Sequence, residues 1–120
     1  MSIYGIGIDV ADISRIKKIL QTNPAFVKRV LTEKELELFE ALGEKRQAEF
    51  FAGRFACKEA FSKAWGTGIG VLGLQDIEIL NERSGKPVVT RSPFEGKVHV
   101  SISHSDLVAV GQIILEEIKK

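Results

Sequence analysis

Two carboxylates stand out for the chemistry they could do together. Asp9 closes the run Gly5-Ile6-Gly7-Ile8-Asp9, and Glu59 lies within Phe55-Ala56-Cys57-Lys58-Glu59-Ala60-Phe61-Ser62-Lys63. Magnesium takes one or two protein carboxylates and fills its other positions with water and phosphate oxygens. Asp9 and Glu59 match that count, with Arg54, Lys58 and Lys63 as phosphate-binding cations nearby. The plainer reading also stands. A glutamate on a polar helix face is commonly just solvated, and Glu59 with Lys63 one turn on is commonly a weak surface ion pair.

Other residues carry weaker signals. Gly66-Thr67-Gly68-Ile69-Gly70 has the composition of a phosphate loop. Such loops precede a helix and use its positive end. These glycines follow one, which favours a helix cap and a turn. Gly85-Lys86-Pro87 is a hairpin turn first and a ligand contact second. His104 is a turn residue, a donor to phosphate or an acid/base group. Cys57 falls on the aromatic side of its helix and reads as core packing. Arg15, Lys17, Lys18, Lys28 and Arg29 form a basic band, either a solvated face or a dock for an acidic protein.

The elements that must position these residues can be read from periodicity. Ile3 to Val10 alternates as a strand, with Tyr4, Ile6, Ile8 and Val10 on one face and Gly5, Gly7 and Asp9 on the other. Glycine inside a strand marks close approach of a ligand, of a helix or of another subunit. Asp12 is an N-cap for a helix to about Leu20, and Pro24 ends or restarts it. Thr32 and Glu35 form a capping box, worth about 1 kcal/mol, for a helix that Gly43 would close. A long helix follows from about Lys45 to Trp65. Its core stripe is expected at Phe50, Cys57, Phe61, Ala64 and Trp65, with Glu59 nearly opposite and Phe55 exposed on the flank. Strands are expected at Leu74 to Leu80, Pro87 to Thr90, Lys97 to Ser103 and Leu107 to Leu115. Helices first and strands second predict an α+β fold with an antiparallel sheet.

Bulk properties exclude several classes. The chain has 120 residues, which suits one domain over 1–120. Its net charge of +1 gives no global field for nucleic acid. One cysteine allows neither an internal disulfide nor a multi-cysteine zinc site, and with two histidines any metal is expected to be held by oxygen. No apolar run reaches the roughly 18–20 residues that span a bilayer. A secretory leader pattern is missing too, so no membrane role and a cytoplasmic location are expected.

Taken in order, these pieces resemble the holo-[acyl-carrier-protein] synthases, the small stand-alone class of 4′-phosphopantetheinyl transferases. The likeness spans essentially the whole chain. It rests on Gly5 to Asp9, on Gly53-Arg54-Phe55-Ala56-Cys57-Lys58-Glu59-Ala60-Phe61-Ser62-Lys63-Ala64, on Gly66 to Gly70, on Gly85-Lys86-Pro87 and on Val100-Ser101-Ile102-Ser103-His104-Ser105. The metal-ligand positions show no departure, and Cys57 stands where alanine is common. The resemblance implies a 4′-phosphopantetheinyl transferase fold, an antiparallel sheet packed against a long helix. It implies transfer of the phosphopantetheine arm of coenzyme A to a serine of apo acyl carrier protein, releasing adenosine 3′,5′-bisphosphate in the service of fatty acid synthesis. Asp9 and Glu59 would then hold Mg²⁺, and Lys63 would meet the leaving group. Arg46, Arg54, Phe55 and Lys63, with Thr67, Gly85, Lys86, Pro87 and His104, would bind coenzyme A. Arg15, Ile19, Phe26 and Arg29 would receive the carrier protein's acidic helix. A homotrimer with active sites between subunits is also implied, and would explain Gly5, Gly7 and an exposed Phe55.

Two other functions use the same residues. A Mg²⁺-dependent phosphohydrolase of nucleotide diphosphates needs the carboxylates but no basic docking band. A non-catalytic oligomeric module would pair Asp9 and Glu59 with lysines across an interface.

Overall fold

The computed structural model describes residues 2–66 and 73–118. Strand β1 (Ile3–Asp12) runs antiparallel to β5 (Val108–Glu116), and β5 pairs with β4 (Lys97–His104), giving the order β1-β5-β4. A separate two-stranded sheet joins β2 (Glu78–Asn81) to β3 (Pro87–Arg91). Between β1 and β2 lie the helices α1 (Ile13–Thr22), α2 (Pro24–Val30), α3 (Glu33–Glu40) and α4 (Glu44–Trp65). The class is α+β, with the antiparallel pairing divided between two sheets.

Local chemistry sets most boundaries. The Asp12 carboxylate accepts from the Ser14 N–H at 3.1 Å and opens α1, and Pro24 occupies the first turn of α2. In the capping box, Thr32 Oγ1 accepts from the Glu35 N–H at 3.3 Å and Glu35 Oε1 accepts from the Thr32 N–H at 2.8 Å. Gly43 departs from expectation: it precedes α4 as its N-cap, at φ −73°, instead of closing α3. The strand expected from Leu74 begins only at Glu78, because Asp76 Oδ2 accepts from the Gly73 N–H at 3.0 Å and bends Leu74–Asp76 into a 3₁₀ turn. Gly66 closes α4 in the left-handed region at φ +86°, which is the cap reading. The remainder of that glycine run, Thr67 to Gly70, lies outside the described residues.

Helix α4, 22 residues and about 33 Å long, is the spine of the molecule. The larger sheet covers one side of it and the helical segment the other. Burial therefore extends around the helix rather than along one stripe: Phe51, Ala52, Ala56, Cys57, Ala60 and Phe61 are all fully buried, whereas the expected Phe50 and Trp65 are half-buried. Two glycines of β1 set the spacing. A Cβ at Gly5 would overlap the carbonyl oxygen of Ala64, and one at Gly7 that of Ala60. Their bare backbone lets helix and sheet touch within a single chain, so the glycines do not require a neighbouring subunit. Phe55 is likewise covered from within. It stacks on Phe51 (centroids 6.2 Å apart, planes at 8°) and meets the edge of Phe26 at 5.9 Å, so it is half-buried and not exposed.

The capping box reaches further than its sequence signature suggests. Glu35, fully buried, also accepts from Lys58 Nζ at 2.6 Å and from the Ile79 N–H at 2.8 Å. Thr32 Oγ1 donates to Glu78 Oε2 at 2.6 Å, and Thr90 Oγ1 donates to Glu78 Oε1 at 2.8 Å. Burial pushes the Glu78 carboxyl up, but the hydroxyls of Thr32 and Thr90, helped by the charges of Arg91 and Lys34, leave it below its ordinary value. This buried polar hub fastens α3, α4, β2 and β3 together.

Candidate active site

Alternation along β1 turns Gly5, Gly7 and Asp9 toward α4. Glu59 and Lys63, one turn apart on α4, stand on the side that Asp9 faces. Lys63 Nζ donates to Asp9 Oδ1 at 2.7 Å and to the Ile8 carbonyl at 3.3 Å. That bond, and then the charge of Asp9, hold the exposed Lys63 ammonium above its ordinary value. The Glu59 carboxyl is also pushed up, first by partial burial and then by the negative charge of Asp9, with Lys63 opposing. The three expected residues therefore share one electrostatic site. Its donors, two carboxylates and the Ile8 carbonyl, are all oxygen. Among the described residues no third His, Cys, Asp or Glu completes a metal cluster. A hard cation held here would draw its remaining ligands from water or substrate, as magnesium does.

A second feature lies along the N-terminal half of α4. There a cleft of about 370 Å³ opens between α4, the β2–β3 hairpin and the end of β4. Its walls bring together Arg46, Arg54, Gly85, Pro87 and His104, all expected around one ligand. Gly85, at φ +92°, makes the turn, and its N–H donates to the Glu82 carbonyl at 2.8 Å. Arg54 is almost wholly buried. Its Nε donates to the Ile79 carbonyl at 3.2 Å, its Nη2 donates to Asn81 Oδ1 at 3.1 Å, and its guanidinium lies 4.1 Å from the Phe50 ring centroid. Burial pulls its pKa down and the charge of Glu35 pulls it back up. Among the described residues no carboxylate pairs with it within 4.0 Å. A buried cation so fixed, with donors left over, suits an anionic ligand. Glu49, Phe50 and Asn81 also line the cleft. Glu49 and Asn81 belong to no motif, Phe50 reads as core from its helical stripe, and the three meet only when the hairpin folds back on α4.

Several expected residues lie elsewhere. Phe55 belongs to the aromatic cluster with Phe26 and Phe51 and does not line the cleft. Lys86 is exposed on the hairpin beside the cleft, Lys63 serves the carboxylate site, and Thr67 is outside the described residues. Lys58 cannot meet a phosphate. It is fully buried, with Nζ 2.6 Å from both Glu35 Oε1 and the Val30 carbonyl. Burial pulls its ammonium down and Glu35 holds it up. Cys57 is core, as expected, and burial pushes its thiol up to about 12, which leaves it without a nucleophilic thiolate. On the helical side, Arg15 and Arg29 are exposed and Ile19 and Phe26 half-buried, with the Arg29 guanidinium 5.7 Å from the Phe26 centroid.

A model of the 4′-phosphopantetheinyl transferase superfamily matches residues 5–115. Holo-[acyl-carrier-protein] synthase of Enterococcus faecalis is 62% identical over 114 residues, covering 95% of this chain and 97% of that protein. The protein of the same name in Streptococcus thermophilus is 58% identical over 118 residues, covering 98% and 99%. A Bacillus anthracis holo-(acyl-carrier-protein) synthase, solved in complex with CoA (3′,5′-ADP), superposes with a TM-score of 0.90 at 47% identity, over 97% of this chain and 98% of that one. A Helicobacter pylori counterpart in complex with coenzyme A gives 0.80 at 32% identity, over 92% and 99%.

Proposed function

The chain belongs to the 4′-phosphopantetheinyl transferase superfamily, and on that footing we propose how its two separate features act together. The reaction moves the 4′-phosphopantetheine arm of coenzyme A to a serine of apo acyl carrier protein and releases adenosine 3′,5′-bisphosphate. The assignment of residues is carried by the convergence of Asp9, Glu59 and Lys63.

Asp9 and Glu59 would hold Mg²⁺; two carboxylates and an oxygen-only donor set fit that ion. When bound, Mg²⁺ supplies neutralisation of the charge that develops on the departing oxygen. The carrier serine oxygen forms a new bond to the pantetheine-side phosphorus, its hydroxyl proton passing to water, and the bridging P–O bond breaks toward the nucleotide. Such a displacement needs in-line placement and charge neutralisation more than covalent help. Lys63, fixed by Asp9 and open to solvent, neutralises or protonates the leaving oxygen. Coenzyme A has a second anionic centre, the 3′-phosphate. The cleft shares no wall with Asp9 or Glu59, so Arg46, Arg54 and His104 serve that centre while Gly85 and Pro87 flank the nucleoside.

Because cleft and carboxylates are separate on one chain, a homotrimer completes the site, the cleft of one subunit facing the carboxylates of the next. Supporting this, β1 is a sheet edge whose outer face exposes Tyr4, Ile6, Ile8 and Val10, at 49–60%. An apolar face of that kind marks an interface. Light scattering should then give three times the chain mass of 13.3 kDa. An active monomer would overturn this arrangement. Residues 1–120 act as one domain, in the cytoplasm, where a lone unpaired thiol is at home. No helix among the described residues is long and apolar enough to cross a membrane.

Incubating the protein with coenzyme A, Mg²⁺ and apo carrier protein tests the reaction by mass spectrometry. A gain of one phosphopantetheine on the carrier is expected. Hydrolysis of coenzyme A without carrier would favour the phosphohydrolase. Docking is separable: Arg15, on the exposed side of α1 with Ile19 and near the basic α2, meets the carrier and not the nucleotide. Arg15→Glu should raise KM for the carrier about tenfold, a loss near 1.4 kcal/mol, with KM for coenzyme A nearly unchanged. Equal shifts in both constants would refute that division.

A further inference from the structure

An acid in a cleft that binds an anion weakens binding unless it performs another task. Glu49 is such a residue. It projects from α4 into the cleft one turn after Arg46, and its side chain is only 18% exposed. Among the described residues it forms no ion pair with Arg46 or Arg54; the basic side chain within 4.0 Å of its carboxylate is His104, with Nδ1 3.9 Å from Oε2. That is ion-pair range and beyond hydrogen-bond range.

We propose that Glu49 is a positioning residue that orients His104 for the 3′-phosphate of coenzyme A. The two ring nitrogens occupy different edges of the imidazole, so an Nδ1 edge turned to Glu49 leaves Nε2 for a ligand. A carboxylate beside one edge of a histidine biases the ring's orientation. Glu49 thereby offsets its own repulsion of the phosphate. His104 sits at the end of β4, just before the turn to β5, and its neighbours Ser103 and Ser105 are exposed. This inference rests on the reading that the cleft serves the 3′-phosphate.

The experiment measures KM and kcat for coenzyme A and for 3′-dephospho-coenzyme A, with the unaltered enzyme, Glu49→Gln, His104→Ala and the double variant. Glu49→Gln should raise KM for coenzyme A about fivefold, the scale of a partly exposed ion pair. Its kcat and its KM for the dephospho substrate should hold, it should not raise KM for coenzyme A further in the His104→Ala background, and Glu49→Asp, which keeps the charge, should recover most of the affinity. A fall in KM, equal shifts for both substrates or full additivity with His104→Ala would overturn the positioning role. If His104→Ala itself affects both substrates alike, the assignment of the cleft to the 3′-phosphate fails first, and the role of Glu49 falls with it.

Discussion

Glu59→Gln should abolish phosphopantetheine transfer while leaving the protein at least as stable as before. The amide keeps the shape of the side chain and removes the charge on which cation binding depends. The expected loss is about 10²–10⁴ in rate, the range associated with removing a preorganised charge from a polar transition state. Stability should move the other way. The folded protein raises the Glu59 carboxyl above its ordinary value, through partial burial and then through Asp9. A raised carboxyl means that the ionised form is disfavoured by the fold. The penalty is absent below the ordinary carboxylate range and is fully present once the pH has risen through the raised value, so it acts at neutral pH. Glutamine escapes it, and without Mg²⁺ the variant's Tm should equal or exceed the native one. Adding Mg²⁺ should raise the native Tm and leave the variant's unchanged, a readout that does not depend on turnover. Retention of more than about a tenth of the activity at saturating Mg²⁺ would remove Glu59 from the ligand role.

The trade of stability for charge at Glu59 was legible only in part. Alternation in β1 places Asp9 on the glycine face, and helical spacing places Lys63 one turn after Glu59; both follow from local geometry. That the two sets meet depends on Gly5 and Gly7 admitting the α4 backbone, a tertiary fact. In the sequence alone those glycines fit a ligand, a helix or a neighbouring subunit equally. The expected single stripe on α4 failed for a related reason. A helix covered by a sheet on one side and by other helices on the other keeps only a few solvent-facing residues, such as Lys63, to contrast with its dry surface. Phe51 went unnoticed as core, and Phe55 looked exposed, because the covering Phe26 belongs to a short helix visible in sequence only as a restart after Pro24. Among the cleft residues, Arg54, Gly85, Pro87 and His104 carry a ligand signal in the sequence and the resemblance adds Arg46, whereas Asn81 and Glu49 acquire meaning only from the hairpin's return to α4.

Lys58 is the sharpest case, since its sequence position beside Glu59 suggested a surface cation for phosphate and the fold makes it the partner of a buried carboxylate. Lys58→Met should cost about 3–5 kcal/mol, because it removes the ammonium 2.6 Å from the fully buried Glu35 carboxyl and leaves it only the more distant charge of Arg54. Two further groups lose at the same time. The Val30 carbonyl at the end of α2 forfeits the ammonium that donates to it at 2.6 Å, and α4 loses its tie to α3. Glu35 retains the Thr32 and Ile79 N–H groups, which soften the loss without replacing the charge. The pair's own worth is a different quantity, since two ions were taken from water to form it. Lys58→Met combined with Glu35→Gln should therefore recover part of the loss, because the orphaned charge is gone and the amide oxygen still accepts from one of the Thr32 and Ile79 N–H groups, while its NH2 faces the other. Urea unfolding of the native protein, both single variants and the double variant gives the coupling directly, and a double variant about 1–2 kcal/mol more stable than Lys58→Met is the expected result. Strict additivity, or a Lys58→Met loss below about 1 kcal/mol, would mean that the buried ion pair does not hold α4 against α3. The rate of the double variant then separates support from chemistry: once its fold is recovered, transfer should return with it, because Lys58 has no path to the substrate and acts only by holding the helix that carries Glu59.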